Sequence, residues 1–237
     1  MKKHISISSL VLVAGLLLIT NNLFAQGKST RKNRFPAGTF HGKDKTINGI
    51  SGGIIAGFSE TDGNVVTNGL RLELIGFGLL LPLIPKSPIS EGDSLSVKQK
   101  QISFIEKVNG INISGSGTGC EGFVVNGLSV GAIGQYLYAT NGLTVSIVTT
   151  LVDKHNGIQL SMFNETHLGN GMQLGLSNDA VDYKGIQVSV LGNHAIKARG
   201  IQVGLFNKSK NLKGLQFGLW NVNQKRKMPL INWNFKS

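Results

Sequence analysis

The 237-residue chain has one cysteine, Cys120, five prolines and only 12 acidic residues. A single thiol excludes an internal disulfide, and no metal-ligating side chains cluster around it in the sequence, so stability has to come from burial and hydrogen bonding. Long apolar runs are also scarce. The stretch from Leu10 to Ile19 is well under the ~20 residues that cross a bilayer as a helix. Lys2 and Lys3 precede it and Leu23-Phe24-Ala25 follow it, which is the form of a secretory signal peptide, with the mature chain expected to begin at Gln26. No Cys follows that run to take a lipid anchor.

The shortage of acid leaves the charge one-signed, with 24 Lys and Arg against 12 Asp and Glu. Cleavage after residue 25 removes Lys2 and Lys3 and no acid, so the excess survives. From Tyr183 to Ser237 there is no carboxylate side chain at all. Lys208, Lys210, Lys213, Lys225, Arg226 and Lys227 are therefore the candidate contact for an anionic partner. For an exported chain the expected partner is an anionic glycan, lipopolysaccharide or a membrane surface, and nucleic acid is not expected. Solvation of turns is the plainer use of the same charges.

What the chain has in quantity is glycine, 32 residues, much of it in a repeat. Gly157-Ile-Gln-Leu-Ser-Met-Phe-Asn recurs from Gly171, Gly185, Gly200 and Gly214, at spacings of 14, 14, 15 and 14 residues. Weaker copies begin at Gly142, Gly127, Gly110, Gly69 and Gly49, each written Asn-Gly-aliphatic, so about ten units cover most of the mature chain. Within a unit the residues alternate: Ile201, Val203 and Leu205 on one face, Gln202 and Gly204 on the other. A period of two is a strand with one buried face, and the glycine load excludes helix. The aliphatic face is the expected core. The Gln row and its small neighbours Ser161, Gly175, Ser189, Gly204 and Gly218 then form an outward polar face, free for a glycan or protein or held as amide ladders along a stack.

The repeat predicts an all-β repeat protein, a β-solenoid of about ten 14–15-residue units. In it Gln159, Gln173, Gln187, Gln202 and Gln216 form one structural ladder and Asn164, Asn178, Asn193, Asn207 and Asn221 a second. Each Asn lies seven residues before the next repeat Gly wherever another unit follows, a constant arc that suits stacked coils. Residues 214–236 read as a capping hairpin around Gln224–Lys227. The alternative is a closed up-and-down outer-membrane β-barrel with one strand per unit, since a spanning strand needs ~9–11 residues. The expected organisation is a signal peptide at 1–25, a basic mobile leader at 26–45 and a single β-repeat domain at 46–237. An irregular insertion at 79–105 interrupts the domain, and its Pro82, Pro85 and Pro88 are expected to forbid helix.

These Gly-aliphatic-Gln-aliphatic-Gly-Leu-Phe-Asn units resemble those of an uncharacterised family of Gram-negative bacterial surface-repeat proteins, which carry tandem Gly-Val-Gln-Ile-Gly-Leu-Ile-Asn-type motifs behind signal peptides. The likeness is close over Gly157–Asn223. It is loose from Gly49 to Val152, where Ser51, Arg71, Asn112, Ser129 and Thr144 stand at the Gln position. The resemblance implies a place at the cell envelope or surface and brings no catalytic residues with it.

Nothing in the sequence has the spacing of an active site. His41, His155, His167 and His194 pair with no His, Cys or carboxylate at metal-ligand spacing and are expected in turns. The carboxylates are scattered, and no Gly-x-Ser-x-Gly elbow accompanies a matching His. The expectation is a non-enzymatic envelope or surface repeat protein with a structural or binding role and no cofactor or metal, or alternatively an integral outer-membrane barrel that serves as a pore.

Overall fold

The computed structural model describes residues 31–56, 63–84 and 105–235. The expected signal peptide and most of the insertion lie outside the described residues. Eleven strands form one sheet system: β1 (Lys32–Arg34), β2 (Ala37–Gly38), β3 (Lys45–Ala56), β4 (Val65–Gly76), β5 (Glu106–Ser114), β6 (Gly119–Gly131), β7 (Gly134–Ser146), β8 (Thr149–Leu160), β9 (Phe163–Val203), β10 (Phe206–Val222) and β11 (Lys227–Asn234). From β3 to β10 each strand pairs in parallel with its successor. That arrangement is a β-solenoid of about 11 turns. An up-and-down barrel would pair successive units antiparallel, so the barrel alternative does not describe this fold.

The register follows the repeat. Gly49 pairs with Gly69, which pairs with Gly110, and the column continues through Gly127, Gly142 and Gly157 to Gly171. Gly200 and Gly214 extend it at the other end. Each of these glycines sits at a corner where the backbone of one coil rests on the next. Gly157 has φ of +138°, and a Cβ there would lie 1.9 Å from the Gly142 carbonyl oxygen. Two independent demands, a left-handed backbone and a contact too close for any side chain, therefore select glycine at this column.

The solenoid inverts the expected faces. The Gln side chains point inward and are at most 1% exposed, whereas Val203 is 37% exposed. The amide Nε2 of Gln173 donates to Oε1 of Gln159 at 2.9 Å, and Gln187, Gln202 and Gln216 continue the chain at 2.7, 2.8 and 2.8 Å. A second buried ladder runs the opposite way: Asn164, Asn178, Asn193 and Asn207 each donate to the Asn of the following coil, at 2.8 to 2.9 Å. The same Nδ2 atoms also donate at 2.8 Å to the backbone carbonyls of Leu174, Val188, Val203 and Phe217, clamping one corner of each coil. Burying an amide is costly when it is unpaired. In a stack with ~4.8 Å spacing the same group in the next coil supplies the partner, and the penalty is removed.

The remaining interior combines further buried polar side chains with apolar clusters. Val108, Phe123, Val125, Leu137 and Val152 form one cluster, and Ala180, Tyr183, Ala195, Ala198 and Leu212 a second. At the inward position two residues after each Gln the chain carries only Ser or Gly in the later coils. A Cβ on Gly218 would lie 1.8 Å from the Gly204 carbonyl oxygen, so no larger side chain fits.

Two further boundaries differ from expectation. Residues 31–45 are not a leader, because β1 pairs in parallel with Lys45–Ile47 and β2 with Ile50 and Ser51, so they begin the solenoid. Arg31 is held by Asn64, with its Nη2 2.8 Å from the backbone carbonyl. The start of the insertion is not devoid of helix: Phe77–Leu79 and Leu81–Leu83 are single 3-10 turns, with Pro82 in the first turn of the second, where its missing N–H is not required. At the far end β11 turns back antiparallel on β10, pairing Gly214 with Asn234 and Val222 with Lys227, and closes the stack.

Candidate functional site

With the Gln row inside, the aliphatic row becomes the front surface. Ile50, Leu70, Ile111, Leu128, Leu143, Ile158 and Met172 stack in one column. Leu72, Ile113, Val130, Val145, Leu160 and Leu174 stack in the next. A third column, at the corner, includes Ile147, Met162, Val190, Leu205 and Leu219, with Val190 60% and Leu219 59% exposed. From Ile50 to Leu219 every outward position in these three columns is apolar or glycine. At ~4.8 Å per coil and ~3.3 Å per residue the face measures about 43 by 13 Å, roughly 600 Å² with its edges. The largest apolar patch on an ordinary monomer is ~300–600 Å² and is often functional, and this face stands at the upper end of that range.

The borders of this face are asymmetric: the one before the glycines is polar, whereas the one past the corner carries exposed Ile55, Ile75, Phe163, Leu191, Phe206 and Trp220. The column just before the glycines is an exposed Asn ladder in the first half: Asn68 donates to Asn48, Asn109 to Asn68, Asn126 to Asn109 and Asn141 to Asn126, each at 2.8 Å. The recurring Asn-Gly pair is the signal of this third amide ladder in the sequence. In the last coils the same column becomes Lys184, Arg199 and Lys213, all exposed. Of the six basic residues singled out in the sequence, Lys208 and Lys210 lie on the opposite, polar side of the coil, Lys213 on the border, and Lys225 and Lys227 in and beside the cap turn, all exposed. Arg226 is half-buried, stacked 4.1 Å over the Trp233 ring and donating from Nη2 to the Trp233 carbonyl at 2.8 Å.

The ten ladder residues singled out in the sequence are interior and present nothing to a partner. The Gln position of the first half instead holds a buried ion cluster. The Arg71 guanidinium, 1% exposed, donates from Nε and Nη2 to the two carboxylate oxygens of Glu106 at 2.7 and 3.0 Å, and from Nη1 to Glu73 at 3.2 Å and Asn112 at 3.1 Å. It lies 4.0 Å from the centre of the Phe40 ring and 4.8 Å from that of Phe123. Burial works against its charge, and the two carboxylates, Glu106 foremost, more than offset that, so its pKa is raised. The cluster replaces the amide ladder in β4 and β5, where Arg71 and Asn112 stand at the Gln position.

His155, His167 and His194 are in strands rather than turns, His41 lies between β2 and β3, and two of the three in strands meet carboxylates one coil away. His167 Nδ1 is 2.9 Å from Asp153 and His194 Nδ1 3.2 Å from Asp179. Their separations of 14 and 15 residues are one repeat length, the signal by which the pairs are legible. His155 is buried against the Thr140 hydroxyl at 2.7 Å. Desolvation lowers its pKa to about 4, against a smaller opposing effect from a backbone hydrogen bond at Gly157. It borders a shallow cleft of about 310 Å³ with Lys154, Leu168, Gly169, Asp182 and Arg199. Among the described residues no three His, Cys, Asp or Glu gather as a metal site would require. Comparison with protein-family models, characterised proteins and solved structures finds no match.

Proposed function

We propose that this chain is an exported, non-enzymatic repeat protein of the bacterial envelope, and that it works by contact through the apolar front of its solenoid. The observation that carries the reading is the inversion of the faces: the aliphatic row, which a globular domain buries, is left outside along the stack while the amides are internally satisfied. Keeping so much apolar surface in water is unfavourable by ~25 cal/mol per Å² unless something covers it. The signal-peptide pattern of residues 1–25, the basic excess of the last coils and the resemblance of the units to bacterial surface repeats support the same placement.

The test is partition between buffer and a purified Gram-negative envelope preparation, followed by sedimentation. The wild-type chain is expected in the pellet. A variant with Ile158, Leu160, Val203 and Leu205 all changed to Ser is expected in the supernatant. Wild-type protein that stays in the supernatant contradicts the reading.

A further inference from the structure

Resting on that reading of the front face, we infer that its occupant is the surface of an anionic lipid bilayer, on which the solenoid lies flat. A second copy is the first alternative, and charge argues against it. Without residues 1–25 the chain has 22 Lys and Arg against 12 Asp and Glu, a formal charge of +10, and two copies meeting front to front bring the cationic border of each against a like-charged molecule. An anionic bilayer meets the same border with opposite charge. Lys184, Lys213 and Arg199, the last paired with Asp182 at 2.6 Å, sit immediately beside the apolar columns, where headgroups stand when side chains enter the acyl boundary. The three columns of the face carry only apolar residues or glycine, without a polar group to fix the orientation of a specific partner.

The aromatics have the matching distribution. The chain has two tryptophans. Trp233 pairs with Leu215 in the front columns, and Trp220 follows Leu219 at the corner. They are 42% and 46% exposed, as side chains at an interface between water and acyl chains are. The backbone sets the depth. Its hydrogen bonds are satisfied within the stack, but the far side of the last coils carries Lys197, Lys208 and Lys210, so there only the front side chains enter lipid and the solenoid does not span it.

The experiment uses the full mature chain with extruded vesicles of phosphatidylethanolamine and phosphatidylglycerol, beside vesicles of phosphatidylcholine alone. Binding is read by flotation and by quenching of tryptophan emission with brominated acyl chains. The expected result is flotation with the anionic vesicles, quenching of the tryptophans, and affinity at least tenfold weaker with phosphatidylcholine or at high salt. Replacing Lys184, Arg199 and Lys213 with Gln should weaken binding about tenfold yet leave quenching intact at saturating lipid. The four-Ser variant should lose the quenching while keeping the circular dichroism of the wild type. If that variant fails to fold, Val203→Asp alone serves in its place. Failure to bind anionic vesicles, or binding without quenching, overturns the inference. So does a front-to-front dimer that the Ser substitutions dissolve and lipid does not. Retention on whole envelope without binding to synthetic vesicles removes the lipid and leaves the contact face standing, whereas loss of both removes both.

Discussion

Two positions show how far a single residue is constrained in this stack. Gly200 has φ of +138°, and its missing Cβ would lie 2.0 Å from the Gly185 carbonyl oxygen, whereas nothing lies within 4 Å of a Cβ at Gly52. Gly200→Ala should therefore cost at least ~2 kcal/mol, and Gly52→Ala should be close to neutral. Urea unfolding of the two variants checks the contrast. His155 makes a prediction in pH. A histidine whose folded pKa is about 4 against 6.5 ordinarily is neutral in the folded chain over a range where the unfolded chain takes up the proton. Its share of stability is therefore full above pH 6.5 and is lost as the pH falls toward 4, by roughly 3 kcal/mol at the limit. Lys154, Asp182 and Arg199 border the same cleft, so the comparison must isolate the imidazole. His155→Gln stays neutral, and the stability gap between pH 7 and pH 4 should be smaller in it than in the wild type. An equal gap in both contradicts the assignment.

At the scale of the strand, β4 and β5 hold their place by a different device from the later coils. There the interior amide is replaced by Arg71, which Glu73 and Glu106 neutralise from its own and the adjacent coil. Removing one member of a buried ion cluster strands the others, at ~3–5 kcal/mol. Arg71→Met should lose about that much, and Arg71→Lys a comparable part, because one ammonium cannot present the forked donors that Glu106 receives. A change under ~1 kcal/mol for Arg71→Met in chemical unfolding contradicts this role. The cluster was not legible in the sequence because its partners are 2 and 35 residues from Arg71, and the second distance includes an insertion of unreadable length in space. The His167–Asp153 and His194–Asp179 pairs were legible in principle, since each spans one repeat.

For the molecule as a whole, the repeat spacing was enough to reach the solenoid and its cap, because glycines 14 or 15 residues apart can align only if successive coils stack. The orientation of the strands was not reached. Alternation of Ile201, Gln202 and Val203 defines two faces and is silent on which faces inward, and the habit of burying aliphatics chose wrongly. The decisive clue was Gly175, Ser189, Gly204 and Gly218, on the same face as Gln. A face that admits only Gly or Ser at one position is pressed against backbone, as Gly218 against Gly204 shows. The central claim is therefore that Gln is inside and the aliphatic row outside, and paired thermal unfolding of Val203→Asp and Gln202→Leu tests it most directly. Val203→Asp places a charge in water and should leave stability within ~1 kcal/mol of the wild type. Gln202→Leu strands the acceptor of Gln187 and the donor of Gln216, each at 2.8 Å, and at ~1–3 kcal/mol per group should lower the midpoint by roughly 5–20 °C. The opposite order, with Val203→Asp unfolding the chain and Gln202→Leu tolerated, would place the aliphatics in the core and contradict the account.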